Sequence, residues 1–312
     1  VPVPVPEGRS GFGPQLALHH EGRQNGRFGI GWSLPTPTVM RMGKSQFPTY
    51  RDHSEEDVFV LAGVGELVPL KVESEEQRER MRQQAELGSE SFDVYPYRPR
   101  QESAFARIER WVSHGSGETH WRSMSGEGTT AVFGRTGNAR VADPSDPQRV
   151  HQWLLETRYD DHGNAERHEY VAENLTGVSH ERLSEAHRTG RSVSAARHPW
   201  RIRYGNTKPY EASTESLPDE NRWLFQVVFD YGDQDAGDPA ASSRPQASWP
   251  VRPDPFSQYQ AGFEVRTYRL CRRILVFHHM EELGPKPELI GSLKLNYDEG
   301  HQYARAGVRL AA

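Results

Sequence analysis

Between positions 223 and 231 every second residue is large and apolar: Trp223, Phe225, Val227, Phe229 and Tyr231. That period sets all five on one face of an extended strand and scatters them around a helix, so the segment predicts a half-buried β-strand. Leu289, Leu293, Leu295 and Tyr297 share one face of another stretch, with Ser292, Lys294, Asn296 and Asp298 opposite. Further strands are expected at 15–20, 57–62, 104–113, 119–124, 129–134, 149–158, 166–172, 199–205 and 264–279, divided by Gly, Pro, Asn and Asp. These separations suit antiparallel hairpins and meanders, so the expected fold class is mainly β. One segment dissents. Residues 73–88 are rich in helix formers, free of β-branched residues and closed by Gly88, and they predict a short inserted surface helix. Polar stretches at 173–198, 206–220 and 232–256 read as long loops, either mobile or ordered by something external.

Leu, Ile, Val and Phe make up only 60 of the 312 residues, yet 12 Tyr, 7 Trp and a net charge of -5 argue against disorder. A chain so composed folds with a thin core, as a broad sheet with one wet face or as a module completed by neighbours. With 43 acidic against 38 basic residues, no basic footprint recommends a nucleic-acid partner. Membrane insertion is not expected, because the longest apolar run, Ile274-Leu-Val-Phe277, is strand-sized. Val1-Pro-Val-Pro-Val-Pro lacks the basic flank and continuous apolar core of a cleavable targeting segment, so the start reads as mid-protein. The lone Cys271 rules out an intrachain disulfide; its basic setting would lower a thiol pKa, but a small buried hydrophobe in a strand is the favoured reading.

In Asn25-Gly-Arg-Phe-Gly-Ile-Gly-Trp-Ser-Leu34, glycines alternate with Phe28, Ile30 and Trp32. Glycine at alternate positions clears one face of an extended segment and lets another backbone or a large ring lie against it. The segment is a packing device with no nucleophile or base, and Trp32 is expected to pack its indole into the sheet while backbone crosses close over Gly29 and Gly31. These residues resemble the Gly-Asn-Gly-x-Phe-Gly-x-Gly-Trp-Ser-Leu signature of the SpvB N-terminal domain family, which also opens the B component of bacterial insecticidal toxin complexes. The resemblance runs nearly the whole chain, through Asp57-Val-Phe-Val-Leu-Ala62, Phe105-Ala-Arg-Ile-Glu-Arg-Trp111, Asp161-His-Gly-Asn164, Arg203-Tyr-Gly-Asn206, Arg252-Pro-Asp-Pro-Phe-Ser257 and Ala261-Gly-Phe-Glu-Val-Arg-Thr-Tyr-Arg-Leu-Cys-Arg-Arg273.

The resemblance implies that residues 1–312 are one such domain within a larger B protein. It further implies a secreted, non-catalytic module of a large curved β shell that encloses a toxic polypeptide before translocation. Implied partners are the remaining shell segments, the Rhs-bearing C component and the toxin-complex A component, with no cofactor. In the SpvB protein itself, the transferase activity belongs to a separate C-terminal domain. The residues expected to matter are packing and turn residues: Gly29, Gly31, Trp32, Arg110, Trp111, Gly163, Asn164, Arg266 and Tyr268.

Three strand ends, Tyr159-Asp-Asp-His-Gly163, Phe229-Asp-Tyr-Gly232 and Tyr297-Asp-Glu-Gly300, share an aromatic-Asp pair followed by Gly, a hairpin logic that resembles the Tyr-Asp repeats of Rhs shells. Of the 14 histidines, only His162 and His168, with Glu166 and Glu169, could meet across a hairpin, and no metal-ligand spacing occurs. The acidic loop Asp230 to Asp238 could hold calcium through oxygen ligands, although it fails the EF-hand pattern and reads first as a solvated loop. No Gly-x-Ser-x-Gly elbow is present. Trp111, Trp121, Trp200 and Trp249 are candidate sugar platforms if exposed, and a thin β core uses the same rings for area. The rival readings are therefore a glycan- or receptor-binding β module and a hydrolase with a His and Asp site in the long loops.

Overall fold

The computed structural model describes residues 1–310 except 45–46, 53–55, 71–82, 102–104, 182, 189–194, 214–217, 220–221, 242–247, 285 and 299–308. The chain is mainly antiparallel β. An N-terminal hairpin joins β1 (His19–Gly26) to β2 (Gly29–Ser33). The main sheet then takes in β3 (Thr38–Gly43), β4 (Asp57–Leu61), β5 (Gly65–Pro69), β6 (Gln83–Leu87), β7 (Glu90–Pro99), β8 (Arg107–Ser113), β9 (Thr119–Met124), β10 (Thr130–Phe133), β11 (Arg140–Asp143) and β12 (Asp146–Tyr159). It continues through β13 (Ala165–Ala172), β14 (Arg197–Asn206), β15 (Trp223–Asp230), β18 (Arg273–His278) and β19 (Glu288–Lys294). The short strands β16 (Phe256–Gln258) and β17 (Val265–Thr267) pair apart from it.

The order β10-β9-β8-β7-β5-β4-β3-β12 returns on itself, because β10 pairs with both β9 and β12, and a ring of eight strands closes. Each strand of the ring sends a side chain into one cluster: Val39, Phe59, Leu67, Tyr97, Ile108, Trp121, Phe133 and Trp153. The barrel is filled, as an eight-strand ring of this size can be by side chains alone. Aromatic rings supply the volume that a chain poor in aliphatics lacks, with Phe59 centred 4.9 Å from Trp121 and 5.8 Å from Trp153.

The fourteen-residue β12 joins the two halves of the molecule. Its Gln152 to Leu154 pair with β3 inside the ring, and its Thr157 to Tyr159 pair with β13, which starts an open sheet running to β19. A second core lies on that sheet, where Ile202, Tyr204, Phe225, Val227, Phe229 and Ile274 meet Val3, Leu16, Leu18 and Phe28 from the N-terminal segment. The alternation at 223–231 thus marks a real face.

Three expectations need correction. Within 73–88, residues 83–87 form β6, a strand paired with Glu90 to Val94, with Gly88 in the turn at φ 59°; the rest of the expected helix lies mostly outside the described residues. Ala85 and Leu87 pack on Phe92, Val94 and Trp111, a contact that overrides helix propensity worth only tenths of a kcal/mol per residue. The run 264–279 is two strands, β17 and β18, broken at Tyr268 to Arg272, where the Tyr268 hydroxyl and the Arg269 guanidinium turn to buried carboxylates. The strand expected at 15–20 reaches the ladder only at His19 and His20.

Candidate functional site

The block from Val265 to Arg273 carries Arg266, Arg269, Arg272 and Arg273 with no acid of its own, so its counter-charges must come from elsewhere. They come from the long loops. Arg266 and the Tyr268 hydroxyl both donate to Glu185, and Arg188 ties Glu185 to Glu264. Arg269 Nε donates to Glu173 Oε1 at 2.9 Å, while its other nitrogens reach the carbonyls of Trp249, Asn174 and Thr176. Glu173 Oε2 also accepts from His198 Nε2 at 2.9 Å and from the Tyr268 amide at 2.7 Å. Arg273 Nε reaches Asp230 at 2.6 Å and its Nη2 the carbonyls of Gln234 and Asp235, so a guanidinium occupies the centre of the acidic loop considered for calcium. Described parts of the loops at 173–198 and 232–256 are therefore held by the chain's own buried charges, an outcome outside the expected choice between mobility and an external agent.

The glycine signature forms the β1–β2 hairpin. Its tip is built into the second core: Phe28 is buried there, the Arg27 carbonyl accepts from the Cys271 amide at 3.0 Å, and the Gly26 carbonyl accepts from Arg252 Nη1 at 2.9 Å. Gly29 and Gly31 have φ of 90° and 75°, so both supply left-handed backbone, and Gly31 supplies clearance as well. A β-carbon at Gly31 would lie 2.7 Å from both the Gly22 carbonyl oxygen and His20 Nε2. Trp32 is half-buried, packs against the second core and meets the His20 ring edge-on at 5.1 Å. Gly31→Val should lower stability by about 1–3 kcal/mol through overpacking. Urea unfolding measures it, and an unchanged midpoint would reject the close approach.

Arg110 and Trp111 lie on opposite faces of β8. Arg110 points into the barrel end, where it and Arg41 share Asp52, and Arg41 also pairs with Asp57 at 2.9 Å. Trp111 packs outside the ring, with the Arg122 guanidinium 3.8 Å from its ring centre and its Nε1 donating to Glu109 at 2.9 Å. Gly163 and Asn164 sit in the β12–β13 turn, where Asp160 accepts from the Asn164 amide and side chain, each at 2.8 Å. Gly163 has φ 78° and its carbonyl accepts from Tyr210 N, seating the turn on the next loop. The echo at Phe229 differs: Asp230 caps the amides of Gly232, Asp233 and Gln234, but the chain leaves into a long loop and makes no hairpin there. The third echo ends at Gly300, outside the described residues.

The nine expected residues thus fall into separate places: the glycine hairpin, the two faces of β8, the β12–β13 turn, where Gly163 and Asn164 share Asp160, and the end of β17, where Arg266 and Tyr268 share Glu185. Missed by the sequence reading were Arg27, Glu173, Glu185, His198 and Arg269; the one available signal was the arginine block without acids. Trp111, Trp121, Trp200 and Trp249 are all buried, which removes them as exposed sugar platforms. Among the described residues, Asp160, Asp161 and His162 are grouped closely enough for a metal, but Asp160 is engaged by its turn and the other two are exposed. Glu166 instead holds His168 and Arg158. Burial pushes the Cys271 thiol well above its ordinary range, so its basic neighbours do not activate it.

Buried histidines and paired glutamates set an acid limit. Burial lowers His120 far below 6.5 and His151 to about 4. Burial alone would raise Glu264, but Arg188, Ser257 and Tyr259 bring it down to about 2, and Glu173 is likewise lowered by His198, Tyr268 N and Arg269. In each case the unfolded chain binds the proton more readily. Stability should therefore fall as pH drops below about 6.5, first through the histidines and then through the carboxylates. Thermal melts from pH 8 to 3 check this, and a flat profile down to pH 4 would contradict it.

The comparisons with known proteins agree with this architecture. The family model described as SpvB, Salmonella virulence plasmid 65kDa B protein, matches residues 1–280. The mono(ADP-ribosyl)transferases SpvB of Salmonella typhimurium and Salmonella choleraesuis are 36% identical over 313 residues, covering 96% of this chain and 50% of theirs. The chain therefore spans half the length of those relatives. The solved N-terminal domain of effector protein SpvB from Salmonella typhimurium superposes with a TM-score of 0.86 at 34% identity, over 100% of this chain and 97% of that one. The TcdB2-TccC3 structure matches with a TM-score of 0.84 at 31% identity, over 99% of this chain and 15% of the other. The Photorhabdus luminescens Tc holotoxin pore gives 0.83 at 31% identity, over 99% and 14%. On the sequence match through residue 280 and the superposition over the whole length, the chain belongs to the SpvB family.

Proposed function

We propose that this chain is a non-catalytic structural module of a bacterial toxin complex, secreted with it, and that it forms part of a β shell enclosing a toxic polypeptide before translocation. The observation that carries the reading is one of proportion: 99% of this chain superposes on only 15% of the TcdB2-TccC3 chain, a small unit inside a much larger one. The fold fits the role. Its barrel is filled by a core of aromatic and aliphatic side chains, and at the other end of the sheet β19 pairs with β18 alone among the described residues. β19 alternates exposed and half-buried residues and offers a free edge on which further strands can build. Remaining shell segments, an Rhs-bearing C component and an A component are the partners this reading implies.

Two results test it. The purified chain should transfer no label from NAD to proteins of a host-cell lysate, because the described residues bring no nucleophile, base and orienting group together. Transfer that a point substitution abolishes would overturn the non-catalytic part. The isolated chain should also self-associate in light scattering and melt at a lower temperature than within its parent polypeptide, since neighbours that bind only the folded form stabilise it by mass action. A monomer at high concentration, with the same melting temperature in both contexts, would sink the shell part.

A further inference from the structure

The tip of the glycine-rich hairpin carries a positive charge into the core. Arg27 is half-buried as a residue, but its Nε is shut off from solvent and has no hydrogen-bond partner. The groups that act on its charge are Tyr231, Tyr170 and Glu173. Glu173 is already engaged by His198, Arg269 and the Tyr268 amide. Glu173 is thus paired with Arg269, Arg27 lies within reach of its charge without an ion pair of its own, and both tyrosines are neutral at ordinary pH. Two more polar atoms here lack partners: Trp249 Nε1 and His198 Nδ1. Their rings form one group, with Tyr231 stacked on Trp249 at 4.2 Å and His198 5.5 Å from Tyr231 and 6.0 Å from Trp249.

We infer that a small, weakly hydrated anion of chloride type binds at this place, held by Arg27 and the Trp249 indole N–H and completed by His198. Water would satisfy the orphaned hydrogen-bonding atoms but would leave the excess positive charge, and buried charges are costly unless paired. The aromatic walls of Tyr231 and Trp249 suit a halide better than a strongly hydrated oxyanion. His198 adds a proton link. Its Nε2 faces the Glu173 carboxylate and so carries the hydrogen of the neutral ring, which leaves Nδ1 a lone pair that can donate only after the ring takes a proton from solvent. The charged groups facing that ring are Glu173, Arg27 and Arg269. Anion binding and protonation of His198 therefore favour one another, and the halide binds more tightly as pH falls.

Crystals of the chain grown in bromide should show an anomalous peak touching Arg27 Nε and Trp249 Nε1. In solution at constant ionic strength, replacing gluconate by chloride should raise the melting temperature, with the apparent Kd for chloride falling by up to about tenfold per pH unit as pH drops toward the pKa of the free His198 ring and levelling off below it. Arg27→Met should lose the chloride response, and His198→Gln should lose its pH slope. The crystal measurement stands even if a variant fails to fold. A water without anomalous signal at this place, or a bromide peak with an equal chloride response in the native chain and Arg27→Met, would overturn the assignment.

Discussion

Glu173→Gln is expected to lower stability by about 3–5 kcal/mol, the range for breaking a buried ion pair by removing one partner. The side chain is fully enclosed, and its two oxygens serve Arg269, His198 and the backbone amide of Tyr268. The neutral amide matches the carboxylate in shape but offers one acceptor oxygen, and it leaves the buried Arg269 guanidinium without its counter-charge. The exposed pair Arg222 and Asp219 provides the contrast, because solvent screens it and Asp219→Asn should cost less than about 1 kcal/mol. Urea unfolding of both variants makes the comparison. Similar midpoints would mean that the carboxylate at 173 does not hold the loops.

Trp153→Ala should cost about 3–5 kcal/mol, as large aromatic truncations do when the cavity cannot collapse. The indole is fully buried in the barrel, and its Nε1 donates to the Thr119 carbonyl at 2.8 Å. Its neighbours Phe59, Trp121 and Arg41 are fixed from three other strands of a closed ring, so inward relaxation is restricted. Trp32→Ala removes the same atoms from a half-buried place on a two-stranded hairpin and should cost less. Equal losses in the two variants would show that the barrel interior is no more tightly specified than the hairpin.

Alternation made the strand at 223–231 legible because one face carries the large rings of the second core, while the opposite face is mixed, with Gln226 and Asp230 beside Val228, which packs in a smaller cluster with Leu275 and Phe277. It could not reveal the ring, since closure depends on β10 finding a second partner in β12, and a strand paired on both edges alternates no differently from one paired on one. Residues 83–87 were misread because their composition favours a helix in isolation, while the contact that decides their state comes from Phe92 and Trp111. Tyr268 to Arg272 was absorbed into a strand for the opposite reason: each residue suits a strand, but Tyr268 and Arg269 are turned by carboxylates 83 and 96 positions away. Gly31 was legible as a place of close approach, yet the left-handed backbone at 29 and 31 and the inward path of Arg27 depend on contacts with Cys271 and Arg252.

The hydrogen bond between Arg27 and Cys271 sets a timetable for synthesis. The hairpin leaves the ribosome early, but its seat includes an amide 244 positions downstream. At about 5–20 residues per second, that seat follows roughly 12 to 50 seconds later. All eight barrel strands lie between Thr38 and Tyr159 and can come together while the hairpin is still waiting. During translation the barrel is therefore the first unit able to fold, and the family's glycine signature is among the last pieces of the domain to reach its place.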